Sequence, residues 1–97
     1  MTKIEIKDYL ENYRDRKAVA NFKIKQGETE HRIVKCINAI EGCLRSLPDD
    51  MGDILRMIYI ERKSLRKIAS VHYNCKDTIA KRREQALEIM ASCLSDL

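Results

Sequence analysis

The stretch Ser64–Leu87, which reads SLRKIASVHYNCKDTIAKRREQAL, decides the fold expected of this 97-residue chain. The spacing of its apolar residues predicts a short helix over about 65–71 and a longer helix that begins near Cys75. The polar residues His72-Tyr73-Asn74 between them predict a tight turn. Two helices joined in this way form a helix-turn-helix pattern, in which the second helix is the one that enters a DNA major groove.

Polar side chains at the expected helix starts support this division. Ser64 stands directly before the first apolar residue of the short helix, where its hydroxyl can accept a hydrogen bond from a free backbone N–H group. Asn74 could cap the longer helix in the same way, with Asp77 three residues later completing a variant capping box. We therefore expect the two helices to start beside these residues.

Positive charge is concentrated in the same part of the sequence. Residues 61–85 contain eight Lys or Arg and three Asp or Glu, a net charge of +5. The other 72 residues hold 11 basic and 12 acidic groups, a net charge of −1. A local excess of this kind is the electrostatic footprint of a nucleic-acid-binding surface. The alternative interpretation is a solvated helix face that happens to be basic.

The N-terminal half predicts two further helices. The first is expected over about 4–25 and the second over about 28–46, with Gly27 as the stop between them. The second helix carries a seam of apolar residues at heptad spacing, which favours either an antiparallel hairpin with the first helix or self-association. The homodimer predicted from this seam uses Ile33, Ile37, Ile40 and Leu44.

Leu47-Pro48 marks a boundary in the chain. A proline disfavours helical geometry in the residue before it, while Pro48, Asp49 and Asp50 suit the first turn of a new helix. This third helix is expected to run to about Ile60. We therefore predict an all-α fold with two parts: a helical hairpin over residues 1–47, which could oligomerise, and a three-helix unit with the helix-turn-helix pattern over residues 48–97.

Composition and motifs exclude several other classes of protein. No apolar run approaches the roughly 18 residues that cross a bilayer, and the N-terminus has no signal-peptide segment, so we expect a cytoplasmic protein without a membrane partner. The four cysteines show no C-x-x-C pairing, and neither histidine lies at zinc-finger spacing from them. No metal or other cofactor is therefore expected. Without a Gly-rich phosphate loop or an acidic pair in an apolar setting, no enzymatic activity is expected either.

The longer helix of the pair supplies the candidate base-reading residues. If Ile79 packs against the short helix, a rotation of about 100° per residue places its polar neighbours on outward or flanking arcs. Thr78 and Arg82 are the candidates for base edges, and the other basic residues suit phosphates. A solvated patch with local ion pairs is the alternative for Arg82 and Arg83. The predicted DNA-binding residues are Ser64, Arg66, Lys67, Lys76, Thr78, Lys81, Arg82, Arg83 and Gln85.

Residues 47–87 resemble region 4 of bacterial sigma factors. The parallels run in order: the Leu47-Pro48 opening, LRMIYIERKSL over 55–65, KIA over 67–69 and DTIAKRREQAL over 77–87. The matching positions are Leu55, Tyr59, Glu61, Ser64, Leu65, Ile68, Ala69, Thr78, Ile79, Ala86 and Leu87. The resemblance implies a DNA-binding helix-turn-helix with its recognition helix near residues 77–87, and RNA polymerase as a further partner.

The order of the two parts resembles phage or prophage transcriptional regulators of the ArpU and RinA type. That resemblance rests on architecture and size, and it implies activation of late or packaging genes. The chain departs from the family at the turn, where family members carry glycine and this sequence has His72 or Tyr73. Asn74 tolerates left-handed geometry and could take that place, which would shift the recognition helix by about one position.

The sequence thus predicts a sequence-specific regulator of bacterial or phage transcription that binds double-stranded DNA and is not an enzyme. Two other functions fit the same pattern. One is a sigma-like module that interacts with RNA polymerase, and the other is a DNA-recognition protein for packaging, similar to a small terminase subunit.

Overall fold

The structure, a computed structural model, describes residues 1–72 and 75–97. Within these residues the chain is all-α, as expected, and contains no strand. The helices are α1 (Lys3–Glu11), α2 (Tyr13–Lys25), α3 (Arg32–Ser46), α4 (Met51–Leu55), α5 (Leu65–Val71) and α6 (Lys76–Cys93), and α4 continues into a π-helical turn (Arg56–Ile60). No helix in this part of the chain is long and apolar enough to cross a membrane.

The single helix predicted over about 4–25 is wrong, because the chain breaks there into α1 and α2. Asn12 leaves helical geometry at φ −110° and ψ 26°, and its Nδ2 donates to the carbonyl oxygen of Asp8 at 3.0 Å. A side chain that competes for a backbone carbonyl in this way favours the end of a helix. α1 starts with a capping box between Thr2 and Glu5, each accepting a hydrogen bond from the backbone N–H of the other.

α3 begins at Arg32, later than the start expected near residue 28. Gly27 is the predicted stop, and it has φ +81° just after α2. His31 is the N-cap of α3, and its Nδ1 accepts a hydrogen bond from the backbone N–H of Ile33 at 3.2 Å. Imidazole is not among the side chains that usually cap helices, so the sequence did not indicate His31 as the cap. The predicted start of α3 was therefore too early.

α2 and α3 form an antiparallel hairpin, one of the two arrangements expected. Tyr13 and Lys17 near the start of α2 both contact Glu41 near the end of α3, through the Tyr13 hydroxyl and through an Nζ–Oε1 distance of 2.9 Å. Farther along α2, Ala20 packs with Val34 near the start of α3. Burial, together with the hydrogen bond to Glu41, raises the pKa of Tyr13 to about 12, so its hydroxyl remains a donor at neutral pH.

The heptad seam of α3 packs against other helices of the same chain. Three of its four side chains are at most 4% exposed, and the fourth, Ile33, packs against the cluster between α2 and α3. A second copy of the chain would reach these side chains only if the fold opened. The structure therefore gives no support to the homodimer predicted through Ile33, Ile37, Ile40 and Leu44.

One main core joins the two predicted parts of the chain. Ile6 of α1 and Ile40 of α3 lie in the same apolar cluster as Leu87 and Met90 of α6, and all four are fully buried. The hairpin and the C-terminal unit therefore share their core contacts across the boundary predicted between residues 47 and 48. A second cluster at the other end of α6 consists of Ile54, Met57, Ile68, Ala69 and Ile79.

α3 and α4 meet at a close backbone contact. Leu47 is extended, at φ −64° and ψ 143°, as expected for a residue before proline. Asp49 has φ +53°, and α4 starts at Met51 rather than at residue 49. Gly52 lies against the carbonyl oxygen of Leu44, and a Cβ at position 52 would overlap that oxygen. The approach of α4 to α3 therefore depends on glycine at this position.

The third predicted helix, over about 49–60, ends in the π-helical turn instead of continuing as an α-helix. The backbone N–H of Glu61 donates to the carbonyl oxygen of Arg56 at 2.9 Å, an i to i+5 hydrogen bond. Arg62 then takes left-handed backbone geometry at φ +59°, and its Nη2 donates to the carbonyl oxygen of Glu11 at the end of α1. This segment both redirects the chain toward α5 and ties it to α1.

We expect Gly52→Ala to destabilise the protein by about 1–3 kcal/mol, because the added Cβ overlaps a backbone oxygen that cannot rotate away. Gly42→Ala is the matched control, since position 42 lies within α3 and nothing lies within 4 Å of its Cβ position. The control should instead stabilise the protein by about 0.5–1 kcal/mol through helix propensity. Urea unfolding followed by circular dichroism measures both changes, and a Gly52→Ala protein as stable as the wild type would contradict the close contact.

Candidate nucleic-acid interface

α5 and α6 pack against each other through small and branched apolar side chains. Ile68 and Ala69 of α5 and Ile79 of α6 are at most 6% exposed and belong to one cluster. Ser64 caps α5 as predicted, because its Oγ accepts a hydrogen bond from the backbone N–H of Lys67 at 3.2 Å. With Ile79 facing inward, the outward face of α6 is the one that the sequence predicts for DNA contacts.

α6 begins at Lys76, within one residue of the start expected near Cys75. Cys75 is the N-cap residue, and its Sγ lies 3.0 Å from Thr78 Oγ1. The hydrogen bond from Thr78 lowers the pKa of the Cys75 thiol. Tyr73 and Asn74 lie outside the described residues, so the capping box predicted at Asn74 and the geometry of the turn stay predictions.

Four of the predicted DNA-binding cations are exposed and have no ion pair within residues 1–72 and 75–97. They are Arg66, Lys67, Lys76 and Lys81. The first two lie in the first turn of α5, the third begins α6, and the fourth lies five residues further along α6. Because no carboxylate neutralises them directly, their charges are available to phosphates.

Three uncharged residues complete the predicted set on this face. Gln85 is exposed on α6, one turn after Lys81, so the two side chains lie on the same side of the helix. Thr78 is partly buried, with its hydroxyl in contact with the Cys75 thiol. Ser64 is exposed, but its hydroxyl oxygen is already used by the α5 cap. Gln85 is therefore the uncharged residue best placed to reach a ligand.

The structure pairs Arg82 with a carboxylate of the protein, and its predicted role at a base edge stays a prediction. Its Nη1 lies 2.7 Å from Asp50 Oδ2, just before α4, and the same carboxylate oxygen lies 3.3 Å from His72 Nδ1 after α5. Arg82 follows the buried Ile79 by three residues, so it lies beside the buried stripe of α6. A single carboxylate thus connects the start of α4, the end of α5 and the middle of α6.

Arg83 is also engaged within the chain, so its predicted role as a phosphate contact is not supported. Its Nε donates to Glu84 Oε1 at 3.3 Å, and Lys3 Nζ lies 2.7 Å from the other oxygen of Glu84. The hydrogen bond from Lys3 is the main reason that the pKa of Glu84 is lowered. These contacts attach α1 to the side of α6, which matches the local ion pairs expected as the alternative for Arg83.

Sequence reasoning missed the roles of Asp50 and His72. Asp50 was expected only as an acidic residue near a helix start, and His72 only as a turn residue. Asp50 contacts both Arg82, 32 positions later, and His72, and periodicity within one helix carries no signal for such pairs. The sequence offers only one hint of this contact. An acidic residue stands beside a helix-turn-helix pattern that has an arginine next to its buried stripe.

The described part of the chain brings no three His, Cys, Asp or Glu residues together in a way that could hold a metal ion. Its four cysteines are free, with Cys36 and Cys43 buried and the other two exposed. Burial and the nearby Cys93 thiol raise the pKa of Cys43 to about 11. This protonated thiol is a poor nucleophile. The exposed cations of α5 and α6 can attract an anion such as a phosphate.

We expect Arg82→Ala to lower the free energy of unfolding by about 1 kcal/mol, because the substitution leaves a partly buried carboxylate with one partner fewer. Lys81→Ala, the neighbouring control without an ion pair, should change stability by less than about 0.5 kcal/mol. A double-mutant cycle with Asp50→Ala, measured by urea unfolding, isolates the pair. Equal effects of Arg82→Ala and Lys81→Ala would show that the contact does not hold α6 in place.

Comparisons of the chain with known proteins identified no relative. No protein-family model matches the chain, and neither a curated protein nor a solved structure matches it. The resemblance to sigma factor region 4 and to phage regulators therefore stays a prediction from the sequence.

Proposed function

We propose that this chain binds double-stranded DNA as a sequence-specific transcriptional regulator of bacterial or phage genes, in the cytoplasm and without catalytic activity. The observation that carries the proposal is the group of four exposed, unpaired cations on two adjoining helices: Arg66, Lys67, Lys76 and Lys81. Neutralising phosphates with such side chains releases counterions, which supplies most of the affinity of non-specific DNA binding. The bacterial or phage context comes from the sequence resemblance alone.

In this proposal α6 reads the bases. Lys81 and Gln85 lie one turn apart on its exposed face, and Thr78 lies one turn before them on the flank. Lysine suits the acceptors of guanine, glutamine suits the donor and acceptor pair of adenine, and a threonine methyl suits the methyl group of thymine. The cations in the first turns of α5 and α6 suit phosphates, which fix the register of a protein on the duplex.

Arg82 supports this surface from behind. Through Asp50 it connects α6 to the start of α4, so it adds to the core contacts that fix the rotation of α6 about its own axis. That rotation decides which side chains point outward. We therefore give Arg82 a positioning role within the proposal, and its loss should weaken binding to every duplex alike.

The aromatic residues favour a duplex over single-stranded nucleic acid as the ligand. Single-strand binders stack bases on aromatic rings that lie among their basic residues. Of the aromatic residues that the structure describes, Tyr59 is buried, Tyr9 and Tyr13 are partly buried, and only Phe22 is exposed. Phe22 belongs to α2, which does not contribute to the packing cluster of α5 and α6.

Arg66→Ala, Lys67→Ala and Lys76→Ala are each expected to weaken duplex binding and to lower the slope of log affinity against log salt by about 0.9, because each would remove one phosphate contact. Fluorescence anisotropy with labelled duplexes from about 50 to about 300 mM salt measures the slope. Lys35→Ala removes the same charge from α3 and should leave the slope unchanged. Gln85→Ala should keep the slope and relax the preference at one base pair, as read from sequences selected out of a random duplex pool.

Absence of duplex binding by the wild type at the lowest salt concentration would overturn the proposal. Recovery of RNA polymerase in a pull-down without any DNA affinity would instead favour the sigma-like interaction module. A ring-sized oligomer in light scattering, together with DNA binding, would favour a packaging protein. An equal loss of slope for Lys35→Ala would show that binding depends on overall charge and not on the surface of α5 and α6.

A further inference from the structure

α2 carries a second seam, on the face that points away from α3. Its members are Asp15, Ala18, Phe22 and Lys25, which follow one another at 3-4-3 spacing, as the a and d positions of a heptad do. All four are exposed, and Phe22 is 58% exposed. Val19 beside them is 46% exposed. Nothing in the described part of the chain covers this seam, since the opposite face of α2 makes the contacts with α3.

The two charges of the seam have no ion-pair partner within the described residues, a property that they share on α2 only with Arg14. Arg16 pairs with Asp8, and Lys23 Nζ lies 3.2 Å from Glu28 Oε2. Asp15 and Lys25, by contrast, form no ion pair within residues 1–72 and 75–97. The seam therefore combines exposed apolar side chains with one free negative charge at one end and one free positive charge at the other.

The order of residues along the seam is self-complementary. Asp15 and Lys25 lie equally far from residue 20, and so do Ala18 and Phe22. When two helices pack antiparallel with heptad spacing, an a residue of one lies level with a d residue of the other. Two antiparallel copies of α2 centred on residue 20 would therefore set Asp15 of each copy against Lys25 of the other, and Ala18 against Phe22.

These pairings favour both close packing of the two helices and their antiparallel orientation. The small side chain of Ala18 leaves room for the ring of Phe22, so large and small residues alternate across the interface. The two ends supply one ion pair each. A parallel arrangement would set Asp15 against Asp15 and Lys25 against Lys25, which repel each other. The charge pattern thus specifies an antiparallel pair related by a two-fold axis, the symmetry of most protein dimers.

We propose that two copies of this chain associate through the outer face of α2, antiparallel and centred on residue 20. This inference does not rest on the proposed function, and it uses none of the residues of the predicted α3 dimer. α2 is about 20 Å long at 1.5 Å per residue, so the face is smaller than the roughly 800 Å² per partner of a standard interface. The dimer is therefore weak, with a dissociation constant of about 100 µM.

Sedimentation velocity of the whole chain from about 20 µM to about 1 mM tests the proposal, and the wild type should shift from monomer to dimer across this range. Phe22→Asp should abolish the dimer at every concentration. Ile4→Asp, at an 82% exposed apolar residue of α1, is the matched control and should leave the dissociation constant unchanged. Circular dichroism melts check that both variants stay folded, which their exposure leads us to expect.

A charge exchange tests the antiparallel register. Asp15→Lys and Lys25→Asp should each weaken the dimer by about fivefold or more, because each turns two attractive pairs into two repulsive ones. The double variant Asp15→Lys/Lys25→Asp restores both pairs and should return the dissociation constant to within about twofold of the wild type. A wild type that is monomeric at about 1 mM, a dimer insensitive to Phe22→Asp, or a double variant as weak as the single ones would overturn the proposal.

Discussion

The buried stripe along α6 is the constraint on which the positions of the other helices depend. α6 has 18 residues and is in contact with four other helices, α1, α3, α4 and α5. Ile79 belongs to the cluster with α4 and α5, whereas Leu87 and Met90 belong to the main core with α1 and α3. Because both ends of the stripe are held, α6 cannot rotate to suit a ligand, and its outward face is set by the core.

The features that the sequence predicted well are local ones. The bounds of α5 and the Ser64 cap follow from residues within a few positions of each other, and the structure confirms both. The antiparallel packing of α2 and α3 and the all-α fold follow from apolar periodicity. The break at Asn12 and the cap by His31 were missed, because in both cases a side chain replaces an interaction that the backbone or a more common capping residue provides elsewhere.

The candidate site was predicted less completely than the fold. Helical rotation correctly separated Ile79 from Lys81 and Gln85, but it left open which partners Arg82 and Arg83 take. Asp50 captures one and Glu84 captures the other, with Lys3 of α1 on the far side of Glu84. The partner of Arg82 lies outside α6, so the sequence of α6 alone could not identify it, whereas Glu84 is the neighbour of Arg83 on α6 itself. The positions that match sigma factor region 4 include residues of the buried stripe as well as residues of the outward face. The resemblance therefore does not distinguish core residues from residues that could contact a ligand.

The shared main core has a consequence for how the molecule comes apart. Leu87 and Met90 are fully buried, and their cluster includes Ile6 and Ile40 from the N-terminal half. A fragment restricted to residues 48–97 would therefore leave an apolar stripe in water along half of its longest helix. Small domains with one shared core usually unfold in a single cooperative transition. We therefore expect the hairpin and the C-terminal unit to unfold together. The sequence pattern thus divides the chain into two halves, yet the two halves share one main core.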